Sequence, residues 1–398
     1  MFTGKGGVGK TSVAAATAVR AAARGRRTLI TSTDPAHSLA DVLDQPLGDG
    51  PTALDVPGST GALFAQQIDA QARLERHWGD VRDYLVTLLS RGGVGTVQAE
   101  ELVLLPGFDE LFALIDLNDQ VAGGRYDVVI VDCAPTAETL RLLTLPDALR
   151  WYVDHVVVPG RRVARAVRPV ARGLAGDGAP IPADGVFASV ERVHAELASV
   201  HALLQDATRA SLRIVLNPER VAVAESQRTA TSLALFGYAV DAVIVNRVLP
   251  DEVRDPYLAG WRRRHAEQLQ EVERSFAPTP VLAAPLLDGE PIGTSALRRL
   301  GDAVYADRDE TAVLHSAPPL VLSHDGDEHV LRIALPFVTD DDVELHRRGA
   351  ELHLKVAGVR RTVPLPATLR RHEVAGARLS DGWLELRFRP VDAAVVSP

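Results

Sequence analysis

The spacing of apolar residues changes character along this chain. From Ser12, SVAAATAVRAAAR is built of strong helix formers and ends at Gly25, a residue suited to closing a helix. Residues 28–32 read as a strand, and 126–132 as an apolar strand of the kind buried on both faces. Between and after them, leucines and valines recur at three- and four-residue spacing, as in RLERHWGDVRDYLVTLL. This predicts helices over 68–89 and 97–117 and a second helical stretch over 146–210, together a helical subdomain spanning roughly 60–120 and 146–210. After Asp307 the period shortens: 318–323, 329–335, 351–356, 361–365 and 382–388 run apolar or alternate at strand length, split by turn residues. The expected architecture is α/β with a mostly parallel sheet over 1–307, followed by an all-β sandwich over 312–392.

Composition narrows the function classes. Of 398 residues 46% are hydrophobic and 24% charged, ample for a packed core. The net charge of −9 argues against broad nucleic-acid binding, which needs a basic face. The lone cysteine, Cys133, excludes an intrachain disulfide framework and any CxxC zinc site within one chain. No apolar run reaches the roughly 18 residues of a membrane span. A cytoplasmic location is the expectation.

The chemistry begins at once. GKGGVGKT, residues 4–11, fits the P-loop pattern G-x-x-x-x-G-K-[ST], with Gly4, Gly9, Lys10 and Thr11 at its fixed positions. Gly4, Gly6, Gly7, Val8 and Gly9 would wrap backbone N–H groups around phosphate oxygens, and the helix opening at Thr11 and Ser12 adds its dipole. Lys10 supplies a cation to the β- and γ-phosphates, and the Thr11 hydroxyl a ligand for Mg²⁺. Only Met1, Phe2 and Thr3 precede the loop, whereas a strand averages about five or six residues. The expectation is a natural start upstream or a stub of a first strand. Asp34, at the carboxyl end of the 28–32 strand, is placed to orient a water near the γ-phosphate, or to cap a helix beginning near Ser38. Asp132 closes the apolar strand as a Walker B carboxylate, a second Mg²⁺ ligand.

Lys5 adds a second lysine to the loop. K-G-G-x-G-K-[ST] resembles the deviant P-loop of dimeric ATPases, which implies that Lys5 reaches across a subunit interface to the partner's phosphates. KGGVGKT, STDPAHSLAD and DCAPTAETLRLL, in this order, resemble the ArsA family, which includes the arsenite-pump ATPase subunit and the GET-pathway targeting ATPase for tail-anchored membrane proteins. The resemblance implies a P-loop α/β fold, a homodimer, and Mg²⁺-dependent ATP hydrolysis with two moving switch loops. It makes Asp34, Lys5 and Lys10 the catalytic set, with switch II running from Asp132 to Thr139. PGFDEL, residues 106–111, also resembles a family stretch. Asn246 matches an adenine-contacting asparagine, and APLLDGEPIG, 284–293, resembles the loop lining the base pocket, with Pro285 and Leu286 beside the base. Asn217 sits at the same sheet edge with its role open.

Departures from the family sharpen the reading. One thiol cannot build a three-sulfur arsenite site, so Cys133 is expected to be buried loop packing. The CxxC pair that clamps zinc between GET-type subunits is missing, so no zinc is expected within the dimer. Met1 is the single methionine, which weakens a methionine-lined client groove. Ala137-Glu138-Thr139 replaces the usual G-H-T of switch II. The run Arg161, Arg162, Arg165, Arg168 and Arg172 is a solvated helix face or a contact for an acidic partner or membrane surface, and residues 176–180 read as a disordered tip. LRIALPF, GAELHLKVAGVRRTVPLP and GWLELRF resemble the α-crystallin (small heat-shock protein) domain fused to some ArsA-like ATPases, which implies peptide or partner binding. The expected function is a homodimeric Mg²⁺-ATPase that opens and closes on hydrolysis and serves hydrophobic polypeptide clients or a membrane-protein partner. The alternatives are an anion-pump-driving subunit and a ParA- or MinD-like positioning ATPase.

Overall fold

The computed structural model describes residues 1–34, 38–68, 108–133, 184–326 and 328–390. In chain order the first strands are β1 (Phe2–Thr3), β2 (Arg27–Ser32), β3 (Thr52–Leu54), β4 (Ala62–Gln67) and β5 (Val128–Asp132). They are followed by β6 (Leu212–Leu216), β7 (Val240–Val248) and β8 (Val281–Pro285). The helices are α1 (Lys10–Ala23), α2 (Ser38–Leu43), α3 (Phe108–Ala122), α4 (Asp184–Gln205), α5 (Arg220–Leu235), α6 (Ala259–Phe276) and α7 (Gly293–Tyr305). The chain divides into two compact units, residues 18–203 and residues 1–17 with 204–398.

In the 18–203 unit the strands adjoin in the order β3-β4-β2-β5. β2 runs parallel to both β4 and β5, and β3 is antiparallel to β4. Leu29 and Ile30 of β2 and Ile130 and Val131 of β5 are buried, as their unbroken apolar runs require. β4 differs from expectation, because residues 62–67 fall within the stretch assigned to the helical subdomain. Its burial alternates before two buried glutamines, Gln66 and Gln67, and those polar residues at its carboxyl end concealed the strand. Gln66 donates to Asp116 of α3, which satisfies its amide nitrogen inside. The predicted helices over 68–89 and most of 97–117, the arginine run, the 176–180 tip and switch II beyond Cys133 lie outside the described residues.

In the other unit β1-β6-β7-β8 adjoin in that order, all parallel. β1 has two residues, paired with Arg213 and Ile214. All five residues of β6 are buried. Its one charge, Arg213, lies 3.2 Å from Asp241 of β7 and donates to the Tyr305 hydroxyl and to the carbonyls of Glu310 and Ala312. A buried guanidinium is thus fully engaged, and it fixes the segment after α7 against the strands.

That segment leads into seven strands rather than the five expected. β9 (Leu320–Asp325), β10 (Glu328–Ala334), β14 (His372–Ser380) and β15 (Trp383–Pro390) form one antiparallel sheet, ordered β14-β15-β10-β9. β11 (Val343–Arg348), β12 (Glu351–Val356) and β13 (Val359–Pro364) form the other. β11 and β14 escaped the sequence pattern because VELHRR and HEVAGARLS carry too few apolar residues. The core between the sheets, Leu331, Ile333, Leu352, Leu354, Leu386 and Phe388 among others, also takes in Leu235 from the end of α5.

Candidate nucleotide site

The loop between β1 and α1 is shaped by what its glycines must avoid. Gly4 has φ 150°, and a Cβ there would stand 2.1 Å from the Val215 carbonyl oxygen of β6. Gly9 has φ 89°, and its Cβ would stand 2.4 Å from Asn246 Nδ2 of β7. At Gly4 the obstacle is backbone, at Gly9 a side-chain amide, and at both the positive φ strains any other residue. At Gly6 and Gly7, by contrast, a Cβ would meet nothing within 4 Å, so the crown of the loop borders open space.

The two lysines of the loop face different ways. Lys10 is only 5% exposed, and its Nζ donates to the Lys5 carbonyl at 3.2 Å, which keeps the ammonium on the inside of the loop. The Lys5 side chain is 45% exposed and reaches toward Glu225 of α5, with Nζ to Oε2 at 3.8 Å. Thr11 and Ser12 occupy the first turn of α1, whose N-terminal amides follow the loop directly.

Four further residues singled out in the sequence belong to the same unit. Asn246 is 5% exposed and donates from Nδ2 to the Val8 carbonyl at 2.8 Å. Pro285 ends β8, and Leu286, exposed, donates its backbone N–H to the Val248 carbonyl. Asn217 follows β6, and its Oδ1 is buried without a hydrogen-bond partner among the described residues. Two residues passed over in the sequence also touch the loop, Glu225 through Lys5 and Arg247 through the Gly7 carbonyl at 3.1 Å. A charged residue straight after Asn246 was the available signal, but strand alternation would send its side chain to the opposite face.

In the 18–203 unit, β2 and β5 bring Ser32 and Asp132 side by side at their carboxyl ends. Ser32 Oγ donates to Asp132 Oδ2 at 3.3 Å and accepts the Asp34 N–H at 3.2 Å. The Thr33 N–H donates to the Asp132 carbonyl. Ser32, which has no role in the motif pattern, thereby ties the two aspartates together. Asp132 is fully buried, and Cys133 beside it is buried with its thiol over the Val131 carbonyl, which fits loop packing.

Taken by itself, each unit holds features that suit a nucleotide: in one the open crown leaves room for phosphate, with amides, a cation and the Thr11 hydroxyl beside it, and in the other the Asp132 carboxylate is a hard oxygen donor of the kind Mg²⁺ takes.

Comparison with known proteins supports nucleotide binding. The anion-transporting ATPase (ArsA) family profile matches residues 1–306, and that of the HSP20-like domain found in ArsA matches residues 326–388. A protein provisionally named an arsenical pump-driving ATPase in Chlorobaculum tepidum is 35% identical over 97% of this chain and 95% of its own length. Another so named, from Aquifex aeolicus, is 33% identical over 95% of this chain and 96% of its own. The ATPase GET3B of Arabidopsis thaliana is 32% identical over 77% of this chain and 78% of its own. Both resemblances read from the sequence therefore hold: the chain belongs to the ArsA family of anion-transporting ATPases, is itself an ATPase, and carries that family's HSP20-like domain.

Proposed function

We propose that this ATPase works as a cytoplasmic homodimer that hydrolyses MgATP to open and close, and that the cycle serves hydrophobic polypeptide clients. The observation that carries the reading is the divided orientation of the two loop lysines. Lys10 is held inward, where it serves its own chain's phosphates, while Lys5 is half exposed and would exchange its 3.8 Å contact with Glu225 for the phosphates of a partner. A cation delivered in trans acts as an arginine finger does, stabilising charge only when the subunits close.

In this reading Gly4, Gly6, Gly7, Val8 and Gly9 present amides to the phosphates, and Ser12 closes the cradle. Thr11 and Asp132 hold Mg²⁺, which when bound neutralises charge on the β- and γ-phosphates. Asp34 orients the attacking water, with Ser32 fixing its backbone. Asn246, Pro285 and Leu286 border the base. Residues 1–307 form the catalytic domain and residues 312–392 the client-binding module. An HSP20-like domain beside an ATPase supports polypeptide clients.

The test compares Lys10→Ala, Asp34→Asn and Lys5→Ala. Lys10→Ala abolishes nucleotide binding. Asp34→Asn binds MgATP, traps the dimer in sedimentation velocity and stops turnover by a factor of about 10² or more. Lys5→Ala binds nucleotide but remains monomeric. Normal hydrolysis by Asp34→Asn, or full activity from a strictly monomeric wild type, overturns the reading. The names of two relatives favour a second one, an arsenical pump-driving subunit. Arsenite stimulation of turnover would support it, against the presence of one thiol per chain.

A further inference from the structure

β7 carries an irregularity where it passes the P-loop. Its pairing with β8 is regular through Val245↔Ala283 and resumes at Val248↔Pro285. β7 therefore advances three residues (245 to 248) while β8 advances two (283 to 285), so one extra residue is accommodated. Arg247 stands within the bulge with φ 59°, a left-handed backbone that an arginine rarely adopts. Strain of this kind persists where the surroundings impose it, often at functional sites.

The bulge changes where two neighbouring side chains go. In a regular strand residues 246 and 247 would point to opposite faces. Here both reach the same loop: Asn246 Nδ2 donates to the Val8 carbonyl at 2.8 Å, and Arg247 Nη1 donates to the Gly7 carbonyl at 3.1 Å. Two consecutive loop carbonyls are held by two consecutive residues of β7.

A trans peptide sets its C=O and N–H in opposite directions. The Gly7 carbonyl shares its peptide group with the Val8 N–H, and the Val8 carbonyl shares its own with the Gly9 N–H. Holding both oxygens toward β7 therefore turns the Val8 and Gly9 N–H groups away from β7, as phosphate donors need. Little slack is left, because a Cβ at Gly9 would already collide with Asn246.

We propose that Asn246 and Arg247 form a clamp that presets the P-loop amides for phosphate, with Arg247 a positioning residue for nucleotide binding. The clamp rests on the reading that phosphates lie in the P-loop. It also gives Asn246 a duty to the loop, separate from any contact with the base.

The test is Arg247→Gly in the full-length chain, with Arg247→Lys and Lys10→Ala alongside. Glycine removes the guanidinium and relieves the positive φ, so the melting temperature stays level or rises. MgATP and MgADP affinities, measured by titration calorimetry, fall together by about tenfold, the loss expected for one charge-assisted hydrogen bond. Arg247→Lys, which keeps a donor, recovers part of the loss. Affinities within twofold of wild type in Arg247→Gly, or a loss matched by a fall in melting temperature, overturn the clamp. Wild-type affinity in Lys10→Ala overturns the P-loop reading itself, and the clamp with it.

Discussion

Gly4 and Gly6 are two residues apart and obey different constraints. The 2.1 Å approach to the Val215 carbonyl at Gly4 is to backbone, which cannot rotate aside, so Gly4→Ala must displace β1 or β6. We expect a loss of about 3 kcal/mol or more in urea unfolding, beyond what ordinary overpacking costs. At Gly6 a Cβ meets open space, and Gly6→Ala should unfold within about 0.5 kcal/mol of wild type. If that space is where phosphate lies, the same variant loses MgATP affinity in calorimetry. A Gly6→Ala protein that binds normally would place the phosphates elsewhere. Both glycines are equally visible as letters of the P-loop. Their different costs were not, since one depends on a carbonyl more than 200 residues away in sequence.

Among elements, legibility followed how local the causes are. α1, β2 and β5 were readable because helix formers, Gly25 and buried apolar runs act within a few residues. β4, β11 and β14 were not, because their own residues carry too weak an apolar alternation, and the polar Gln66 of β4 is accommodated by Asp116, fifty residues on in α3. The candidate residues divide likewise: Lys10, Asp34 and Asp132 have roles that their motifs suggest, whereas Ser32, although the first letter of STDPAHSLAD, and Glu225 and Arg247 matter through contacts that the motifs do not spell out. β10 carries a consequence of the same kind. His329 shares a face with its cross-strand partners His324 of β9 and Phe388 of β15, and its ring lies 4.1 Å from that of His324 and 4.7 Å from that of His372 of β14. From the facing sheet, Arg347 of β11 donates to the His372 and Arg370 carbonyls, and the neighbouring Glu328 is held by Arg387 and Arg389. Burial, then repulsion from His324 and His372, lowers the His329 pKa. Above the unfolded value of about 6.5 both states are neutral and the group contributes nothing to pH dependence. Below it the unfolded chain takes up a proton that folded His329 resists, so stability falls as pH falls toward the lowered folded value. His329→Phe should shrink the drop in urea midpoint between about pH 7.5 and about pH 5.5. An unchanged drop would mean that the imidazole is already charged in the fold.

At the scale of the whole molecule, the question is whether the HSP20-like sandwich moves with its ATPase neighbours or hangs from them. Three attachments tie it within the 1–17 and 204–398 unit. Arg213 and Asp241 hold the connecting segment through the Glu310 and Ala312 carbonyls and the Leu314 N–H. Leu235 of α5 is a member of the sandwich core, and Thr231 of the same helix donates to the Pro336 carbonyl. Phe276 at the end of α6 meets Phe337 with ring centroids 5.0 Å apart. A body tied in this way opens as one cooperative unit, so a ligand that binds only the native state should protect all of it. Saturating MgATP at about a hundredfold its Kd adds about 2.7 kcal/mol to the opening free energy. That gain should appear in hydrogen exchange at β6 and β7 beside the P-loop, and also at β10 and β15 in the sandwich. Leu235→Ala is expected to cost about 2–5 kcal/mol and to break the tie. In that variant nucleotide still slows exchange at β6 while β10 no longer responds. Were β10 indifferent to nucleotide in the wild type, the contacts of α5 would be mere juxtaposition.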